Sequence, residues 1–300
     1  MSRIYDALQR ANLERGSSPE SDSPEFVEPF AVPGEAELPP VQEEILFDLI
    51  TRHPWNPSLN SLPTLGERGE GIEQFRGLRT QIYQFRDQAP LKTILVSSGL
   101  PAEGKSFVAA NLAISLARNK KSAVLLIDAD LRKPSLHKLM GSPQLTGLAE
   151  YLAGSALASQ ILQRNQYSHI NVEGQSWQMP DLTFISAGDG GDHSAELVAN
   201  HRIEELITTL SPHFDWIIID SPPVLPVVDA IDLARAADAV LLVARAAKTP
   251  YTVAQRAQSA FANCRLLGFV LNAVKDAPRS GSYYYYGKRE TGSGLHGRKE

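Results

Sequence analysis

The segment Gly99-Leu-Pro-Ala-Glu-Gly104-Lys105-Ser106 constrains this chain more than any other stretch, because it fits the pattern G-x-x-x-x-G-K-[ST]. An apolar run, Thr93–Ser97, precedes it, and a helical pattern, Lys105–Asn119, follows. A backbone that wraps an anion with bare N–H groups needs glycine where a side chain would collide. A strand must therefore end and a helix begin around one binding site, with the helix dipole aimed into it. The other apolar runs extend that rule. Ala123–Ile127, Leu182–Ile185, Asp215–Ile219, Ala239–Val243 and Gly268–Leu271 are mostly continuous rather than alternating, as strands buried on both faces are. Helical patterns over Gly71–Arg86 and Ala195–Leu210 fall between or before these strands. The alternation predicts an α/β fold with a doubly wound, mostly parallel sheet, and a ligand outside the carboxyl ends of its strands.

Composition removes several other readings. With 43% hydrophobic and 21% charged positions in 300 residues, the chain is neither wholly disordered nor collagen-like. A formal net charge of −5 supplies no basic face for nucleic acid. The single cysteine, Cys264, excludes an internal disulfide. No stretch reaches the roughly 18 apolar residues of a membrane span, and the richest, Ala237–Ala244, stops at Arg245. The N-terminus carries charges throughout and has no apolar segment of a signal peptide. The expectation is a cytoplasmic protein with no direct membrane span. The histidines show no metal-ligand spacing.

Four segments follow from the pattern. Ile4, Ala7, Leu8 and Ala11 lie at helical spacing and predict an N-terminal helix over residues 1–16. Residues 17–65 read as an acidic, proline-rich linker, since no Lys or Arg stands between Arg15 and Arg52 and like charges repel. The nucleotide domain is expected over residues 66–277. Residues 278–300, rich in Gly, Ser, Tyr and basic side chains, read as a flexible tail.

The chemistry concentrates after three strands. Gly99, Ala102, Glu103, Gly104, Lys105, Ser106 and Phe107 form the expected nucleotide loop, with Lys105 on the β- and γ-phosphates and Ser106 on Mg²⁺. Asp128 and Asp130 follow the next strand, and Asp220 ends the strand Trp216-Ile-Ile-Ile-Asp220. Parallel neighbouring strands would bring all three carboxylates beside the loop. There Asp220 suits Mg²⁺, which takes hard oxygen ligands, and a second carboxylate can accept a proton from an attacking hydroxyl.

Together the loop, Asp128-Ala-Asp130-Leu-Arg132-Lys133-Pro134, Asp220-Ser-Pro-Pro223 and Tyr283-Tyr284-Tyr285-Tyr286 resemble the bacterial tyrosine kinases. These are cytoplasmic autokinases of capsule and exopolysaccharide production with Walker A, A′ and B motifs. The resemblance covers about Gly66 to Tyr286. It implies a P-loop NTPase fold like that of the partitioning ATPases, the cofactors ATP and Mg²⁺, and a non-specific protein-tyrosine kinase. Lys105, Asp128, Asp130 and Asp220 would then be catalytic, with Asp128 taking the tyrosine proton and Asp130 supporting the metal and lysine. Ser106 and Asp220 would hold the metal, and Tyr283, Tyr284, Tyr285 and Tyr286 would accept phosphate. Glu73-Gln-Phe-Arg76-Gly-Leu-Arg79 is similar to the family's E-x-x-R-x-x-R and implies ring-like self-association through Glu73, Arg76 and Arg79. Family members with membrane spans in the same chain suggest that this is a split form, activated by a separate membrane chain-length protein that recruits it to the membrane. The family's Asn-Pro-x-Glu-Leu segment is here Asp192-His-Ser-Ala-Glu196-Leu197.

The competing class is a partitioning or positioning ATPase that switches assembly state with nucleotide. Its signature lysine would follow Gly99, where this chain has Leu100. Guanine reading would need Asn-Lys-x-Asp, and Asn272-Ala-Val-Lys275-Asp276 is not that pattern, so adenine is expected, with Asn272 as its hydrogen-bond partner.

Overall fold

A computed structural model describes residues 50–274, apart from 59, 67–68, 120–121, 173–174 and 192–193. The expected N-terminal helix, the linker up to residue 49 and the tyrosine cluster lie outside the described residues.

The strands are β1 (Thr51–His53), β2 (Thr93–Ser98), β3 (Val124–Asp128), β4 (Leu162–Asn165), β5 (His169–Val172), β6 (Gln175–Gln178), β7 (Leu182–Ile185), β8 (Trp216–Asp220), β9 (Ala239–Arg245) and β10 (Leu266–Asn272). Eight of them form one sheet in the order β1-β4-β7-β3-β8-β2-β9-β10. From β7 to β10 every neighbouring pair is parallel. β4 runs antiparallel to β7, and β1 runs parallel to β4. β5 and β6 form a separate antiparallel hairpin.

The continuous apolar runs have a simple cause. In β8, Ile217 and Ile219 face one core cluster, while Trp216 and Ile218 face the other. β3 divides likewise, with Leu125 and Ile127 on the first side and Val124 and Leu126 on the second. Side chains alternate across a strand, so a strand covered on both faces is apolar at every position. Helices Arg202–Leu210 and Tyr251–Ala260 contribute to the first cluster, and Glu70–Gln88 and Lys105–Ala117 to the second. Every residue of Lys105–Ala117 after Ser106 is buried except Phe107. A helix apolar almost all round must lie inside the molecule.

Two sequence expectations need correction. The folded domain begins before residue 66. Thr51–His53 pairs with β4, and Trp55, Leu62 and Leu65 are core residues. Buried Asn111 fastens this segment to the helix after the phosphate loop. Its Oδ1 accepts from the Thr64 hydroxyl at 2.7 Å, and its Nδ2 donates to the Ser61 carbonyl at 3.1 Å. A strand of three residues among prolines carries no readable period, so the sequence alone reads as linker up to residue 65. The helix expected over Ala195–Leu210 is two helices, Ser194–Ala199 and Arg202–Leu210. Between them His201 takes a left-handed backbone with φ of 61°. Asn200 makes the break stable: its Oδ1 accepts from the Arg202 N–H at 3.2 Å, and its Nδ2 donates to the Leu152 carbonyl at 2.7 Å.

Candidate active site

Register places the site. Asp128 lies opposite Asp220 across β3 and β8, and Asp220 lies opposite Val96 of β2. Three adjacent parallel strands thus reach the same edge of the sheet, and the loop leaves from the end of β2, next to β8. Ala102 and Gly104 have φ of 64° and 97°, which curl the loop before the helix starts at Lys105. Gly104 is obligatory twice over, because its backbone is left-handed and a Cβ there would strike the Asn272 amide.

The outer side of the loop is anchored to β9 and β10. Arg245 donates to the Ala102 carbonyl at 3.1 Å, and Asn272 Nδ2 donates to the Glu103 carbonyl at 3.0 Å. The buried Glu103 carboxylate accepts from the Leu100 N–H at 2.8 Å and from the Thr249 hydroxyl. Glu103 therefore turns its side chain away from the anion side. Asn272 rests on the loop itself.

The inner side is charged. Lys105 Nζ lies 2.7 Å from Asp130 Oδ2 and 4.0 Å from Asp220 Oδ1. Burial disfavours its ammonium, yet Asp220 and Asp130 together hold its pKa above the ordinary lysine value. Asp128 accepts from the N–H groups of Ser135 and Leu136 at 3.1 and 2.9 Å. Burial first, and the negative Asp220 second, nevertheless push its pKa up to about 8. Burial also raises the pKa of Asp220, against the pull of Lys105.

Both Asp220 carboxylate oxygens are buried without a hydrogen-bond partner. An uncompensated buried carboxylate is costly, and a cation relieves that cost. With the neighbouring Ser106 hydroxyl it forms a hard oxygen pair suited to Mg²⁺. Among the described residues no group of three or more His, Cys, Asp or Glu side chains would hold a metal alone. Phosphate oxygens and water must complete such a shell, as is usual for Mg²⁺.

A cleft of about 390 Å³ opens beside these groups. Lys105, Ser106, Asp130, Arg132 and Lys133 supply its polar wall, and Phe107, Pro222, Pro223, Pro226 and Val227 its apolar wall. Arg132 is held in a two-pronged pair with Asp229, at 2.8 and 3.2 Å. Sequence reasoning missed Asp229, Arg245 and Thr249. Each stands far along the chain from the residue it holds, 97 positions from Arg132 to Asp229, 143 from Ala102 to Arg245 and 146 from Glu103 to Thr249, and no spacing rule connects them.

The expected self-association residues separate. Glu73 and Arg76 pair on the exposed face of Glu70–Gln88. Arg79 turns inward and donates to the Ser115 carbonyl at 2.7 Å, joining its helix to the one that follows the phosphate loop. Tyr283, Tyr284, Tyr285 and Tyr286 lie outside the described residues.

Known proteins share this architecture. The family model described as ParA, NUBPL iron-transfer P-loop NTPase, matches residues 91–287. Tyrosine-protein kinase YwqD of Bacillus subtilis is 34% identical over 220 residues, covering 73% of this chain and 87% of that protein. Putative tyrosine-protein kinase CapB of Staphylococcus aureus is 30% identical over 218 residues, covering 72% of this chain and 90% of its own. The solved kinase domain of Escherichia coli tyrosine kinase ETK superposes with a TM-score of 0.59 at 29% identity, covering 72% of this chain and 80% of that one. A loop-edge site with three aspartates, carried on this sheet and matched over most of two such relatives, places the chain among the ParA-type P-loop NTPases and, within them, in the bacterial tyrosine-protein kinase family.

Proposed function

We propose that this chain transfers the γ-phosphoryl group of ATP to the tyrosines Tyr283, Tyr284, Tyr285 and Tyr286 of a neighbouring copy. The observation that carries the reading is the meeting of Asp128, Asp130, Asp220 and Lys105 at the loop edge. The N–H groups at the start of Lys105–Ala117 and the Lys105 ammonium bind the phosphates. Ser106 and Asp220 would hold Mg²⁺, which neutralises phosphate charge. A phenol has a pKa near 10, so its oxygen needs a base to become a good nucleophile. Asp128, in its ionised form, takes that proton. The phenolic oxygen forms a bond to the γ-phosphorus, the bond from that phosphorus to the bridging oxygen breaks, and ADP leaves. Asp130 holds Lys105 in place while charge shifts to the leaving phosphate.

The regulatory reading follows from the product. Each phosphotyrosine adds about −1.5 to −2 charges, so modified tails are repelled by the acidic edge and the expected ring loosens. A membrane chain-length protein would act as activator and recruit the chain to the membrane in capsule or exopolysaccharide synthesis. Among the described residues no helix is long and apolar enough to cross a membrane.

Incubating purified protein with Mg-ATP and mapping phosphotyrosine by mass spectrometry tests this. The tail is expected to gain phosphate, and Lys105→Met is expected to gain none. ATP turnover with an unmodified tail would instead support the positioning-ATPase class.

A further inference from the structure

We infer that Asn272 is a positioning residue for the phosphate loop, acting through the Glu103 carbonyl, rather than a reader of the nucleotide base. The inference concerns nucleotide binding and stands apart from whether the tail tyrosines are the acceptor. A loop that points its N–H groups inward at an anion must point its carbonyls outward. A carbonyl so turned needs a donor where it is taken out of water, as the partly buried Glu103 carbonyl is, because an acceptor left unpaired there is costly. The structure supplies a donor at each of the two crucial positions. Arg245 takes the Ala102 carbonyl at 3.1 Å, and Asn272 Nδ2 takes that of Glu103 at 3.0 Å. The two donors stand side by side, since Asn272 pairs with Arg245 across β9 and β10.

The Asn272 side chain is engaged at both ends. Its Oδ1 accepts from the Ala273 N–H at 2.8 Å, which fixes the direction in which Nδ2 points. Gly104 leaves room for this approach, because a Cβ there would collide with Nδ2. The neighbouring carboxylate is fixed by a chain of bonds: the Arg245 N–H donates to Thr249 Oγ1 at 2.8 Å, and the Thr249 hydroxyl donates to Glu103. The ends of β9 and β10 thus grip the loop from outside, at the residues on which its curl depends. A contact to the loop backbone serves any polyphosphate alike, whereas a contact to the base would serve ATP alone.

The test uses the full-length chain with Asn272→Ala and Asn272→Asp, and titrates ATP, GTP and tripolyphosphate with Mg²⁺ by calorimetry. Asn272→Ala is expected to weaken all three by the same factor, about five- to tenfold, the worth of one net hydrogen bond. Asn272→Asp is expected to do at least as much damage, because a carboxylate would face the Glu103 carbonyl. In steady-state assays the KM for ATP should rise by that factor while kcat stays within about twofold, a split that loss of folded protein would not produce. Thr249→Val, which leaves Asn272 in place and acts on the same loop residue, should lower all three affinities in parallel. Weakening of ATP with GTP and tripolyphosphate unaffected would overturn the inference in favour of base reading. Unchanged binding of all three would overturn it outright.

Discussion

On its outer side, loop 99–104 meets donors and acceptors that match: Arg245 with Ala102, Asn272 with Glu103, and Thr249 and Leu100 with the Glu103 carboxylate. On its inner side, three buried aspartates share one lysine, and Asp220 keeps two orphaned oxygens. The outer side contributes rigidity, because every buried polar group there is satisfied. The inner side stores unfavourable electrostatics that a bound cation would relieve. A site of this kind lowers stability where it raises function.

The largest effect should come from breaking the inner side. Asp128→Asn is expected to lower phosphotyrosine formation by about 10²–10⁴-fold, the usual range for loss of a general base, read by single-turnover transfer. The same variant should melt at a higher temperature than the parent near neutral pH, because the parent must protonate this buried carboxyl in order to fold. The sign follows from linkage. The folded Asp128 has a pKa of about 8 against 3.8 for an ordinary aspartate, so between those limits the folded state binds more protons than the unfolded state. Its contribution therefore favours folding at low pH and is lost as pH rises through that window. The nucleotide-free parent should lose stability from Asp128 as pH rises, and Asp128→Asn should flatten the slope, measured by denaturant titration at several pH values. An Asp128→Asn protein with an unchanged slope would show that its carboxyl is not the group responsible.

A middle-sized effect is expected on the outer side. Thr249→Val leaves the buried Glu103 carboxylate with one partner fewer, at a cost of about 1–3 kcal/mol in urea unfolding. Here stability and nucleotide binding should fall together, the reverse of Asp128→Asn. Asn111→Ala, which frees the segment around Ser61 and Thr64, should cost a similar amount with little change in transfer chemistry. The smallest effect on stability belongs to Arg76→Ala. Its pair with Glu73 is exposed, and such pairs are worth about 0–1 kcal/mol. Native mass measurement should nevertheless show loss of self-association. An unchanged oligomer distribution would contradict a role for Arg76 in self-association.

What the sequence made readable depended on burial. β2, β3 and β8 lie under cover on both faces, so their apolar runs mark them directly, and Asp128 and Asp220 stand where those runs stop. β1 and β4 escaped notice because they are short, lie at or next to the sheet edge, and read Thr-Arg-His and Leu-Gln-Arg-Asn. Their pairing is decided by tertiary contacts that local pattern does not encode. The glycine spacing revealed the loop's inner function but not its outer supports. Arg245, Thr249 and Asn272 come more than a hundred residues later, and only the parallel sheet order brings them beside Glu103. Arg79 shows the same limit. Helical spacing groups it with Glu73 and Arg76, yet its guanidinium bonds inward to Ser115.

The most direct measurement mixes two full-length variants with Mg-ATP. One is Lys105→Met, with an intact tail and a disabled site. The other carries Phe at positions 283, 284, 285 and 286, with an intact site and no acceptor tyrosines there. Transfer between copies should place phosphotyrosine on the Lys105→Met tail, visible by mass spectrometry. ATP consumption with no phosphate on that tail would contradict the proposed transfer.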